Sequence, residues 1–162
     1  MSFEIFVGFD ARECAAYEVC VKSMRNHCAA LPKVTPLVEA HLRGLGIYER
    51  RHERREGRLW DVISDAPMST EFAITRFLAP VLSEEPWAVF CDCDFLWRAD
   101  IRDLLALADP RYAVQVVQHE YAPPEGIKMD GQLQLNYRRK NWSSLVLWNC
   151  SHPAHEPLMG WI

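Results

Sequence analysis

Apolar residues along this chain fall into short continuous runs, separated by segments with a helical period. Residues 3–9, FEIFVGF, form a β-prone run that ends at Asp10. The next segment, ARECAAYEVCVKSMRNH (11–27), sets Ala16, Val19, Cys20 and Met24 at helical spacing and predicts a helix. KVTPLVEA (33–40) predicts a second strand. Pro36 argues for an edge position or a break there, because proline cannot donate to a ladder. Residues 41–66 show no clear pattern and contain the charged run ERRHERREGR (49–58). A clearer helix is predicted from Ser69, a good N-cap, with Ile74, Phe77, Leu78 and Val81 on one face. PWAVFC (86–91) has the continuous apolar character of a strand buried on both faces. DIRDLLALA (100–108) predicts a short helix capped by Asp100, and YAVQVVQ (112–118) and SSLVLWNC (143–150) predict two further strands.

Strands alternating with helices predict an α/β fold built on an open sheet. Neither an internal repeat nor a low-complexity linker divides the chain, so 1–162 reads as one domain. The polar segment 119–141, with Pro123, Pro124, Gly126 and Gly131, is too long for a plain connection. Loops of that length are often functional.

Composition narrows the field. With 162 residues, 49% hydrophobic and 25% charged, the chain has the make-up of an ordinary soluble globular protein. A net charge of -4 gives no electrostatic case for nucleic acid. No apolar run approaches the roughly 20 residues of a membrane helix. The N-terminus MSFEIFVGFD lacks the basic and long apolar regions of a signal peptide, which points to a cytoplasmic location. Cys14, Cys20, Cys28, Cys91, Cys93 and Cys150 include no C-x-x-C pair and read as thiols in a reducing compartment. The run at 49–58 sets five arginines against three glutamates. A solvated face is its default reading, and contact with an anionic membrane surface or a phosphorylated acceptor is the alternative.

The chemistry concentrates in AVFCDCDFLW (88–97), where an apolar strand runs into Asp92 and Asp94. In open α/β sheets, ligands bind beyond the carboxyl ends of strands. Residues i and i+2 of an extended chain point the same way, so both carboxylates can face one spot. Two converging carboxylates suit a hard divalent cation, Mg²⁺ or Mn²⁺, which in turn can hold a diphosphate. A pair of exposed loop acids is the plain alternative, but the apolar residues on both sides place these two in a semi-buried pocket.

TEFAITRFLAPVL followed by AVFCDCDFLWRADIRDLLAL resembles the centre of GT-A fold glycosyltransferases, in particular glycosyltransferase family eight and its bacterial relatives. KNWSSLVLWNC resembles a later strand of that family, and IFVGFDARECAAYEV is similar to its nucleotide-binding strand–loop–helix. The resemblance implies a GT-A-like (Rossmann-like), mostly parallel sheet flanked by helices. It implies transfer of a sugar from a nucleotide-diphospho-sugar, UDP-linked, to a saccharide or glycolipid acceptor; peripheral contact at the inner face of a membrane is the alternative reading of the 49–58 run. Asp94 would bind Mn²⁺ or Mg²⁺, with Asp92 assisting or contacting the donor ribose beside Cys93. Gly8, Phe9 and Asp10 would line the nucleotide pocket with Tyr17 nearby, although Gly8 also reads as strand-end punctuation and Tyr17 as a core aromatic. Arg76 matches a donor-contacting arginine; lying off the apolar stripe of its helix, it is either a surface residue or one that faces the cleft. Ser143 and Ser144 would stand beside the donor sugar, unless they simply start a strand. Lys128, Asp130 and Gln132 would approach sugar or acceptor, although Asp130-Gly131 reads equally as a turn.

The match is incomplete. The family's third metal ligand is a histidine further downstream, and His152 and His155 stand in a different context. Either the chain lacks the usual C-terminal segment or a partner supplies it, and no residue is nominated as catalytic nucleophile or base. Two other functions compete. A non-catalytic nucleotide-sugar-binding module would keep donor binding without transfer. A D-x-D phosphatase would use the first aspartate as nucleophile, but its pair belongs near the N-terminus, and no later acidic pair follows here.

Overall fold

The computed structural model describes residues 2–118, 126–127, 133–134 and 142–160. A five-stranded sheet organises them, built from β1 (Phe3–Gly8), β2 (Val34–Leu37), β6 (Trp87–Cys91), β7 (Val114–Val116) and β10 (Leu145–Asn149). The strand order is β2-β1-β6-β10-β7. β2, β1 and β6 pair in parallel, while β10 runs antiparallel to both β6 and β7, so one strand of the five is reversed. Every residue of β1 and of β6 is buried, as their unbroken apolar runs require. The exception in composition is Glu4, whose carboxylate accepts from Lys33 at 2.6 Å and from the Glu84 N–H at 2.9 Å. These bonds overcome burial and hold its pKa below the ordinary value.

Helix α1 (Cys14–His27) follows a 3-10 turn over Ala11–Glu13 and joins the core of the sheet through Cys20 and Met24. Of the expected stripe, Cys20 and Met24 are buried, while Val19 is 56% exposed. β2 occupies the edge that Pro36 predicts, but it stops at Leu37. Residues 39–44 instead form α2 (Glu39–Gly44), with Glu39 and Arg43 paired one turn apart at 2.7 Å.

The unpatterned stretch 41–66 holds a small antiparallel sheet of β3 (His52–Arg55), β4 (Arg58–Asp61) and β5 (Ala66–Met68). Its first hairpin turns at Glu56 and Gly57, both with positive φ, the geometry that two-residue hairpin loops favour. All four residues of β3 are exposed, so the run shows no apolar alternation to read. The sheet is tied down by Arg50, whose Nε and Nη2 each donate to Asp61 at 2.8 Å.

The helix predicted from Ser69 is a series of turns. A 3-10 segment over Thr75–Leu78 leads into α3 (Ala79–Leu82), whose first turn contains Pro80. Three residues per turn in place of 3.6 redistribute the stripe. Val81 is exposed, while Thr75 and Arg76 are buried. Residues 101–107 are likewise 3-10, capped by Asp100, which accepts from the Arg102 N–H at 2.9 Å. β8 (Gly126–Ile127) and β9 (Leu133–Gln134) form a separate two-stranded ladder. Among the described residues, no helix is long and apolar enough to cross a membrane.

Candidate functional site

Sheet register brings three segments to one edge. Val7 of β1 and Leu145 of β10 are both partners of Cys91, the last residue of β6. The loop after β1, the turn after β6 and the start of β10 therefore meet. Gly8, Phe9 and Asp10 share this edge with Asp92, Cys93 and Asp94, and with Ser143 and Ser144. The Asp92 N–H donates to the Ser144 carbonyl at 2.9 Å, extending the contact one step past the ladder.

Asp92 is the centre of the arrangement. Its Oδ1 lies 3.1 Å from Arg76 Nη1, an ion-pair distance, yet this oxygen is buried and has no hydrogen-bond partner. Burial, with the charges of Asp94 and Glu13 added against the opposing pull of Arg76, pushes the Asp92 pKa up to about 7. Asp94 is exposed at the mouth of the site, and its charge acts on both Asp92 and Arg76.

Arg76 settles the two readings its sequence position allowed. It is 9% exposed and turned inward. Its Nε donates to the Phe72 carbonyl at 3.3 Å, and Nη1 donates to the carbonyl and hydroxyl of Ser143 at 3.0 and 3.1 Å. The guanidinium carbon lies 5.3 and 5.2 Å from the ring centroids of Phe72 and Phe90. Burial lowers its pKa against the pull of both aspartates. A desolvated guanidinium held this way is a strong partner for an anion, because little water screens it.

The loop after β1 is more occupied than its sequence implies. Asp10 is fully buried and caps the 3-10 turn. Its Oδ1 accepts from the Arg12 N–H at 2.9 Å and from Arg12 Nε at 3.0 Å. Its Oδ2 accepts from Arg12 Nη2 at 2.8 Å and from the Glu71 N–H at 3.2 Å. Burial opposes ionisation, but these bonds together lower its pKa. Gly8 has a packing reason to be glycine, because an added Cβ would lie 2.4 Å from Phe72 Cδ2. Phe9 and Tyr17 stack edge to face with centroids 5.3 Å apart. Ser143 and Ser144 form part of a 3-10 turn (Trp142–Ser144) ahead of β10. Lys128, Asp130 and Gln132 lie outside the described residues.

His152 and His155 follow Asn149, which pairs with Trp87 at the start of β6, so they stand at the opposite end of the sheet from Asp92. His152 Nδ1 accepts from the Ala154 N–H at 3.2 Å, and His155 packs on Trp148. Glu13 is the site residue that sequence reasoning missed. D-x-x-E from Asp10 to Glu13 spells a capping box, but the Glu13 carboxylate accepts instead from Cys93 Sγ at 3.3 Å. Only the position of Cys93, which lies between the two aspartates, could have signalled this.

The donor set near Asp92 fits a hard cation in part. It is all oxygen, and Asp92 Oδ1 has lone pairs free of hydrogen bonds. Among the described residues, no group of three His, Cys, Asp or Glu side chains is close enough to hold an ion. Two carboxylates would leave the other coordination positions for water or substrate oxygens.

Comparison with known proteins defines the class first. The chain superposes on the WbbM bifunctional glycosyltransferase with TM-score 0.59 and 13% identity, covering 98% of this chain and 33% of that one. It superposes on the glycosyltransferase GlyE of Streptococcus pneumoniae TIGR4 with TM-score 0.53 and 13% identity, covering 98% of this chain and 36% of that one. The fold is GT-A-like: α/β, with a mixed, mostly parallel sheet flanked by helices. The chain is also similar to Protein CDI of Arabidopsis thaliana, 46% identical over 157 residues that make up 96% of this chain and 56% of that protein. The chain thus spans about half the length of this curated relative. No protein-family model matches the sequence.

Proposed function

We propose that this chain binds a nucleotide-diphospho-sugar, UDP-linked, and transfers the sugar to a saccharide or glycolipid acceptor. Within GT-A-like proteins, the resemblance of its D-x-D region to glycosyltransferase family eight supports assigning it there. One observation carries the reading: at the carboxyl end of β6, the buried and unbonded Asp92 Oδ1 sits beside the desolvated guanidinium of Arg76. Arg76 would bind the diphosphate, held in place by Phe72 and Ser143. Asp94 and Asp92 would hold Mn²⁺ or Mg²⁺, which when bound would neutralise charge on the diphosphate as it leaves. Phe9 and Tyr17 offer an aromatic wall for the base, while Asp10 shapes the loop that carries them.

Calorimetric titration of UDP with and without Mn²⁺, on the wild type and on Asp94→Asn, tests this reading. Mn²⁺-dependent binding that falls at least about tenfold in the variant is expected, the scale on which a metal site responds to loss of a supporting group. Absence of UDP binding by the folded wild type would overturn it. Binding without hydrolysis or transfer of any UDP-sugar would favour the second reading, a nucleotide-sugar-binding module.

A further inference from the structure

Resting on the donor-binding reading above, the geometry points to Glu13 as a positioning residue that couples the loop after β1 to the D-x-D turn after β6. Both turns leave neighbouring parallel strands whose last described pairing is Val7 with Cys91. Beyond that point the ladder no longer holds them together. The Cys93 thiol, 1% exposed and set between the two aspartates, donates across the gap to Glu13 Oε2 at 3.3 Å.

Each end of this bond is anchored. The Glu13 N–H donates to the Asp10 carbonyl at 2.9 Å, and Asp10 is fixed through Arg12 and the Glu71 N–H. Arg12 Nη2 reaches on to the Ser69 carbonyl at 2.9 Å. On the other side, Asp92 is pinned through its N–H to Ser144. A base drawn against Phe9 and Tyr17 would bear on the turn that carries Glu13, and a cation drawn onto Asp92 and Asp94 would bear on the turn that carries Cys93. Glu13 is assigned to neither ligand, and its bond to Cys93 ties each turn to the one that the other ligand would use. Coupling of this kind is reciprocal by thermodynamic necessity.

The test measures that coupling directly: the factor by which saturating Mn²⁺ strengthens UDP binding, determined by calorimetry. Wild type, Glu13→Ala, Cys93→Ala, the double variant and Glu13→Gln are compared, with metal-free melting temperatures alongside. Each alanine variant lowers the factor about fivefold, the lower end of ordinary allosteric coupling. The double variant loses no more than either single one, because both remove the same bond. Glu13→Gln, whose amide oxygen still accepts the thiol proton, keeps the wild-type factor, which a role through charge alone would not allow. An unchanged factor in both alanine variants overturns the proposal, as do losses that multiply in the double variant. So does a Glu13→Gln variant as impaired as Glu13→Ala. If the wild type binds UDP with Mn²⁺ and any of these outcomes occurs, only the link fails. If it binds no UDP at all, the donor-binding reading fails first and takes the link with it.

Discussion

Two aspartates end two adjacent strands of the same sheet, Asp10 after β1 and Asp92 after β6, and they have opposite environments. Asp10 accepts four hydrogen bonds, and its pKa is lowered. Asp92 leaves a buried oxygen unbonded beside one ion-pair partner, and its pKa is raised to about 7. A fully bonded buried carboxylate holds a scaffold in place, whereas an unbonded one costs stability unless a ligand completes it. The same residue type after adjacent strands therefore does two jobs, and the hydrogen-bond inventory separates them: four bonds on Asp10, none on Asp92 Oδ1.

The largest expected effect tests the scaffold half. Asp10→Ala removes a cap and the tie to the Glu71 segment, and should destabilise the fold by about 2–4 kcal/mol in urea unfolding. A loss below about 1 kcal/mol would break the contrast, since lost caps alone usually cost that much. Gly8→Ala tests whether the end of β1 is closed by packing. Overpacking against Phe72 should cost about 1–3 kcal/mol and be largely relieved by Phe72→Leu. If Gly8→Ala were tolerated without that second change, pocket lining would become the better account of Gly8.

The smallest effect sharpens the comparison through pH, in metal-free buffer. The folded Asp92 carboxyl binds its proton more tightly than the unfolded one, so its charge increasingly penalises folding as pH rises from about 4 to about 7. Asp92→Asn should therefore match the wild type near pH 4. By pH 8 it should be more stable, by on the order of 1 kcal/mol once relaxation of the site is allowed for. Asp10 has the opposite sign: its contribution is present above the ordinary aspartate range and is lost as pH falls through its lowered value. Melting curves of Asp92→Asn and the wild type from pH 4 to 8 check the first slope. A variant advantage that shrinks with rising pH would contradict the assignment.

Strands β1, β6 and β10 are legible in the sequence because burial on both faces leaves an unbroken apolar run. The D-x-D stands out for the same reason, as charge that abruptly ends such a run. β3 was not legible, since a fully exposed strand rich in arginine lacks the alternation that a core imposes. The helix expected from Ser69 fails in part because its apolar spacing suits 3.6 residues per turn, while the chain winds into 3-10 turns before Pro80. Arg76 shows the cost of that error. On the α-helical reading it lies off the apolar stripe, whereas the tighter turns bury it against Asp92. Glu13 carries no local signal, because its partner Cys93 lies far along the chain and only the fold brings the two together.

The reversed direction of β10 has a consequence for how such a site tolerates change over generations. A strand laid against its neighbour head to tail delivers its beginning where the neighbour ends, so Ser143 and Ser144 reach Asp92 by ladder register. The number of residues between Val116 and Trp142 does not enter that register. A change in the length of that connection would therefore leave the serines in place, because pairing with β6 sets their position.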